Sequence, residues 1–156
     1  MTPGRFLPLA LDLRRRRCVV VGGGPVGARK AATLARAGAR VTVVAPAIGA
    51  ALRHLVRTRR ARWVCSEFLL AHLQGTFLAV AATDHAAVNA AVVRAAERRG
   101  ILACDASSAR RSRVTFGALL ERRGVTVAVF TGGADPARAR DTRDRLAGLL
   151  AGRRPR

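Results

Sequence analysis

The sequence predicts an α/β fold: a Rossmann-like open parallel sheet with helices on both faces, followed by a short C-terminal strand pair and helix. Three observations predict it. From residue 18 to residue 104, short apolar runs alternate with stretches of helical periodicity. A glycine-rich turn, Gly22-Gly23-Gly24-Pro25-Val26-Gly27, joins the first run to the first helical stretch. After Asp105 the alternation stops, and two apolar runs flank the sequence ERRG.

Each element has its own signal. CVVV at 18–21 is wholly apolar, as a central parallel strand covered on both faces must be. Residues 26–37 are alanine-rich and read as a helix that Gly38 is placed to stop. A second strand, 40–44, ends at Pro46, and Ile48, Leu52, Leu55 and Val56 recur at helical spacing behind it. A weaker strand at 61–65 surrounds Trp63; a strong one follows at 77–82, then a helix at 86–99 closed by Gly100, and a fifth strand at 101–104. The runs 114–120 and 125–130 read as a hairpin or strand pair, and Thr131-Gly132-Gly133 breaks the second. Pro136 suits the first turn of a last helix reaching about Leu150, with GRRPR as a frayed tail. The expected organisation is a dinucleotide-binding domain over 1–112 and a short C-terminal extension over 113–156.

Composition narrows the function classes. The 156 residues carry 50% hydrophobic residues, enough for a real core. No uncharged apolar run reaches membrane-spanning length, and the first twenty residues hold too many arginines for a signal peptide, so a cytoplasmic location is expected. Cys18, Cys65 and Cys104 are scattered without metal-ligand spacing and read as small core residues; His54, His72 and His85 form no recognisable metal set, which leaves any metal site unassigned. Net charge is +20, yet of 29 basic residues only Lys30 is lysine, and the arginines are dispersed along the chain. With no Tyr, one Trp and five Phe, stacking platforms for single-stranded bases are scarce, so the charge reads as solubilising rather than as specific nucleic-acid recognition.

Right-handed crossovers bring the C-terminal ends of all parallel strands to one edge, where ligands bind. Residues 22–24, 44–46, 82–84 and Asp105 fall on that edge. Gly22-x-Gly24-x-x-Gly27 fits the dinucleotide fingerprint: Gly22 permits the tight turn, Gly24 admits a pyrophosphate, and Gly27 lets helix pack on strand. One part of the fingerprint is missing. The acid expected at the end of the second strand to hold the adenosine ribose is replaced by Val44-Ala45-Pro46, so the ribose is expected to rest on backbone groups near 44–47. Residue types alone do not choose between NAD and NADP.

The stretches PLALDLRRRRCVVVGGGPVGARKAATLARAGARVTVVAP, FLAVAATDHAAVN, CDAS and VAVFTGGADP, in that order, resemble the precorrin-2 dehydrogenase family, which includes the N-terminal module of sirohaem synthases. The resemblance implies NAD-dependent oxidation of precorrin-2 to sirohydrochlorin in sirohaem biosynthesis, by a homodimer acting on a polycarboxylate tetrapyrrole; some members also insert Fe²⁺. Carried over by position, it implies dinucleotide contacts at Gly23, Gly24, Pro25 and Val26, beside Gly22 of the fingerprint, then at Pro46 and Ala47 and at Ala82 and Thr83, and a catalytic aspartate at Asp105. Removing two hydrogens needs a hydride acceptor and a base, and a carboxylate at the lip of the sheet suits the second role. Asp-Ala-Ser-Ser is also good turn chemistry, which gives Asp105 a structural reading as well.

Around it, Asp84 is expected to cap the helix that begins near Ala86, His85 to be an exposed helix-start residue, and Arg110, Arg111 and Arg113 to meet substrate carboxylates or solvent. The loop after Asp105 is about two residues longer than the family's usual one, Gly117 stands at a usual proline position, and the chain stops soon after Pro136, where family members continue in helix. Two other readings remain: a non-catalytic dinucleotide-sensing regulatory module, whose relatives usually keep the second-strand acid, and a charge-driven nucleic-acid binder.

Overall fold

The computed structural model describes residues 6–132 and 135–152, so Gly133, the remaining residue of the TGG turn and Arg153 onward of the expected tail lie outside the described residues. The chain divides into two compact units, Ala10–Val114 and Met1–Leu9 with Thr115–Arg156.

The first unit is the expected open sheet. Five strands, β1 (Arg17–Val21), β2 (Arg40–Val44), β3 (Ala61–Val64), β4 (Leu78–Ala81) and β5 (Leu102–Asp105), are all parallel in the order β3-β2-β1-β4-β5. Helices α1 (Pro25–Arg36), α2 (Ala50–Arg57) and α3 (Ala86–Glu97) follow β1, β2 and β4. Between β3 and β4 only a 3-10 turn, Leu70–Leu73, intervenes. The strand order reverses at β1, because β2 and β3 extend to one side of it and β4 and β5 to the other. That switch point opens a crevice beyond the C-terminal ends of β1 and β4.

Alternation along the strands explains the two helix layers. Val19, Val21, Ala79, Ala81 and Ala103 face α3 and pack on its Val92, Val93, Ala95 and Ala96. The opposite face of β1 meets α1, where Val20 lies 3.6 Å from the place a Cβ on Gly27 would take. All four residues after Arg17 in β1 are buried, as the unbroken apolar run requires. Gly38 and Gly100 terminate α1 and α3 at φ of 79° and 67°, their N–H groups donating to Ala35 O and Glu97 O.

Arginines that are dispersed in sequence gather in space. Arg17 and Arg40 open strands, while Arg36, Arg57 and Arg98 sit at or beside helix C-termini, and all are exposed at the sheet edge opposite the glycine turn. A helix C-terminus favours cations, so the parallel architecture itself collects them there.

The second unit holds a hairpin, β6 (Ala118–Arg122) and β7 (Val125–Val129), with α4 (Pro136–Gly152) against both strands. The first strand's bounds differ from the expected run 114–120. Glu121 and Arg122 belong to β6, opposite Thr126 and Val125, and residues 114–117 precede the strand. The turn is Arg123-Gly124, both at positive φ (49° and 78°), because a two-residue hairpin needs that backbone twist and Gly124 supplies half of it without strain. The Phe130 ring packs over Gly117, where a Cβ would stand about 3.0 Å from it. Asp135 caps α4 by accepting the Arg138 N–H at 2.8 Å. Among the described residues no helix is long and apolar enough to cross a membrane.

Candidate dinucleotide site

The turn after β1 is built to bring backbone to a ligand. Gly22 has φ of 125°, and a Cβ there would run into the Ala82 carbonyl, so only glycine lets β1 and β4 approach this closely. A Cβ on Gly27 would strike Gly22 O, which is why α1 can start directly against the turn. At Gly24 the space is open: nothing lies within 4 Å of the position a Cβ would occupy. Gly24 is also the extended N-cap of α1, with no side-chain cap and no acid in the first turn, and Pro25 has no N–H to satisfy. The free N–H groups and the positive dipole end are left for an anion, worth ~0.3–1 kcal/mol at an exposed site.

A cavity of about 550 Å³ lies against this turn, within the roughly 300–1,000 Å³ range of small-molecule sites. The tails of four strands wall it: residues 21–24 after β1, 44–47 after β2, 66–68 after β3 and 82–85 after β4, with Val88 and Ala91 from α3. Gly22, Gly23, Gly24, Pro46, Ala47, Ala82 and Thr83 are in the wall; Pro25 and Val26 lie in the exposed first turn of α1, outside it. Among the described residues no Arg or Lys lines the cavity.

The β2 tail is fastened by its neighbours. Trp63 Nε1 donates to Ala45 O at 2.9 Å, the Cys65 thiol to Pro46 O at 3.2 Å, and Ala45 N–H to Val64 O at 3.2 Å. Val44 O accepts the Gly22 N–H, and Gly23 O accepts the Gly49 N–H. The backbone groups expected to hold a ribose are therefore largely engaged within the fold.

Asp105 ends β5 beside Ala81 and so lies on the same edge as the glycine turn. Its side chain is fully buried and stands behind the cavity wall rather than in it. Oδ1 accepts from Ser107 N–H at 2.8 Å and Ser107 Oγ at 2.6 Å, and Oδ2 accepts from Arg111 Nε at 2.6 Å. Burial alone pushes its carboxyl pKa up, but the Ser107 and Arg111 hydrogen bonds outweigh it and hold the group below the ordinary carboxylate range. The same turn thus serves both readings of Asp-Ala-Ser-Ser, since Asp105 organises the loop and presents one ionised carboxylate under Arg111.

A chain of hydrogen bonds joins Asp105 to the cavity. Asn89 of α3, 1% exposed, accepts from Thr83 N–H at 3.0 Å and Thr83 Oγ1 at 2.7 Å, and its amide donates to Thr83 O at 3.0 Å and Ser107 Oγ at 3.3 Å. Asn89, Ser107 and the wall residues Ser66, Glu67 and Phe68 were not singled out from sequence. Asn89 had a signal, as a polar residue on the otherwise apolar face of α3 that ends the stretch FLAVAATDHAAVN, and Ser107 had one in the turn chemistry of Asp-Ala-Ser-Ser; Ser66, Glu67 and Phe68 sit in a loop without a motif.

Other expectations resolve differently. Asp84 does not cap α3: the N-cap is His85, without a side-chain cap bond, because Thr83 Oγ1 takes the His85 N–H at 3.2 Å and Asp84 is left exposed in the cavity wall. His85 is exposed, as expected. Arg113 pairs with Glu97 at 2.8 Å at the surface, and Arg111, itself exposed, pairs with the buried Asp105. Cys18 and Cys104 are buried, whereas Cys65 is exposed, which corrects its reading as a core residue: it closes onto the β2 tail from outside. Among the described residues no group of three or more His, Cys, Asp or Glu is placed to hold a metal ion.

A reversed strand order, a glycine turn at an uncapped helix and a cavity across the switch point define a dinucleotide-binding domain. Residues 9–118 match the NAD_binding_7 family, described as "Putative NAD(P)-binding", and the chain belongs to that family. It is 41% identical to a siroheme synthase of Photobacterium profundum and 43% identical to one of Chromobacterium violaceum, each over 145 residues, 93% of this chain and 31% of the relative. The chain thus spans about a third of the length of the curated relatives it matches. A solved structure of SirC, a precorrin-2 dehydrogenase, superposes with a TM-score of 0.81 at 28% identity, covering 92% of this chain and 71% of that one. The likeness read from the motifs and the Rossmann-like architecture are both borne out.

Proposed function

We propose that this protein oxidises precorrin-2 to sirohydrochlorin with NAD⁺ as acceptor, on the way to sirohaem, as a cytoplasmic homodimer. The observation that carries the reading is the hydrogen-bonded link between the cavity wall at Thr83 and the ionised carboxylate of Asp105, in a chain similar in fold to a precorrin-2 dehydrogenase and in sequence to siroheme synthases.

The residues fit a dinucleotide. Gly22, Gly23 and Gly24 with the α1 N-terminus take the pyrophosphate; Pro46 and Ala47 wall the β2 side, and Ala82 and Thr83 the β4 side. Pro25 and Val26 pre-set the first helical turn that presents the N–H groups. The bound nicotinamide supplies the hydride acceptor. The second hydrogen leaves the substrate as a proton, and Asp105 is the base assigned to it. Arg111 governs that step. While its guanidinium holds Oδ2, the carboxylate is a weak base; a substrate carboxylate that draws Arg111, whose side chain is 39% exposed, leaves Oδ2 with a spare acceptor site and a raised proton affinity. Charge on the substrate thereby arms the base.

The experiment is a spectral assay on enzymatically generated precorrin-2 with NAD⁺. Wild type should form sirohydrochlorin with matching NADH, and Asp105→Asn should bind NAD⁺ normally but convert at under about a hundredth of the rate, the scale of general-base catalysis. No conversion by the folded, NAD⁺-binding wild-type protein would end the reading.

A further inference from the structure

The acid absent from the end of β2 is replaced, in space, by one from the tail of β3. We propose that Glu67 holds the ribose hydroxyls of the adenosine half of the dinucleotide and makes this site selective for NAD over NADP. The inference rests on the cavity being the dinucleotide site.

The cavity wall divides about the glycine turn into two arms, the tails of β2 and β3 and the tail of β4 with α3. Asp105 lies on the β4–β5 side, so the reacting nicotinamide belongs there and the adenosine half runs the other way, over the tails of β2 and β3. The same direction follows from the general geometry, in which the ribose-binding acid ends β2. That arm is walled by Val44, Ala45, Pro46, Ala47 and residues 66–68.

Few polar groups are left there for a ribose diol. Ala45 spends both its N–H and its carbonyl on β3, and Pro46 O takes the Cys65 thiol. The Ser66 hydroxyl donates to Glu67 O at 2.7 Å. Glu67 carries the sole charged side chain of this arm; it is exposed, and no ion pair or hydrogen bond engages its carboxylate among the described residues. The other carboxylate in the wall, Asp84, lies after β4 on the opposite side of the glycine turn.

Its chemistry suits a diol. Two carboxylate oxygens accept from two adjacent hydroxyls, and the same charge repels a 2′-phosphate. Among the described residues no Arg or Lys in the wall offsets that repulsion, and Arg53 in the first turn of α2 turns Nη1 onto Ile48 O at 2.6 Å. Phe68, half-buried beside Glu67, gives the arm an apolar surface for the base.

The test is isothermal titration of the full chain with NAD⁺, NADP⁺ and the 2′-deoxyadenosine analogue of NAD⁺, in wild type and Glu67→Gln, with thermal unfolding to confirm that both are folded. Wild type should favour NAD⁺ over NADP⁺ and bind the deoxy analogue about tenfold more weakly than NAD⁺, a hydrogen bond to a charged group being lost. Glu67→Gln should weaken NAD⁺ by about tenfold, tighten NADP⁺, and bind NAD⁺ and the deoxy analogue alike. If NAD⁺ binds but the Gln variant keeps the wild-type ratios, the inference falls while the dinucleotide reading stands. If neither nucleotide binds wild type, both fall.

Discussion

Asn89 offers a perturbation whose size follows from the coordinates. It is buried in the interior of α3 and makes four hydrogen bonds, three to Thr83 and one to Ser107. Replacement by Ala removes all four and leaves the Thr83 N–H and C=O without partners. At roughly 1 kcal/mol net per hydrogen bond, the loss is about 3–4 kcal/mol, reduced by the water that reaches the half-buried Thr83. Asn89→Asp keeps the two acceptor contacts and gives up the donors, placing a second carboxylate across Ser107 from Asp105. It should cost as much or more, because like charges disfavour each other's ionised forms. Urea denaturation reads stability, and calorimetry with NAD⁺ reads the site. Both variants should unfold at lower urea, and NAD⁺ affinity should fall because Thr83 in the wall is no longer held. A change under about 0.5 kcal/mol for Asn89→Ala, a level typical of inert surface positions, would refute this account of the link.

Three further outcomes are expected. Gly24→Val should leave stability within about 1 kcal/mol of wild type, since its backbone is extended and the space is open, yet weaken NAD⁺ at least tenfold; Gly22→Ala, strained at φ 125° and against Ala82, should destabilise the fold itself, and the reverse pattern in calorimetry and thermal melts would contradict the turn's assignment. Asp105 has its pKa lowered on folding, so its contribution is present above the ordinary carboxylate range and is lost as pH falls through the folded value; the stability gap between wild type and Asp105→Asn should close on acidification, and a gap independent of pH would count against the Arg111–Asp105 pair. Burial pushes the Cys18 thiol up to about 11 and raises Cys104, so under native alkylation at pH 8 mass spectrometry should find the label on Cys65 alone; early labelling of Cys18 would show that β1 is not sealed.

Much of this fold is legible along the chain because its signals are local. CVVV is wholly apolar and β-branched-rich, as a strand covered on both faces is expected to be, and Gly38 and Gly100 stop helices through their own backbone freedom. The glycine turn likewise announces an anion site from six consecutive residues. The hairpin is legible in the two runs that flank ERRG, but its strand bounds are not, because Glu121 and Arg122 are held in β6 by pairing with Thr126 and Val125 rather than by their own preference.

The site's polar wiring lay beyond the sequence. Asp-Ala-Ser-Ser announces the turn that brings Ser107 to one oxygen of Asp105, but nothing in the chain says that Arg111 will take the other, or that Asn89 will reach Ser107 from another element. The absence of an acid after β2 was plain from Val44-Ala45-Pro46, but that the backbone there is engaged by Trp63 and Cys65, and that Glu67 enters the same cavity, is decided by the parallel pairing of β2 with β3. Periodicity and turn chemistry act over a few residues and can be read in one dimension. Hydrogen bonds and charges act over a few ångströms, and only the packed sheet determines which distant residues come that close.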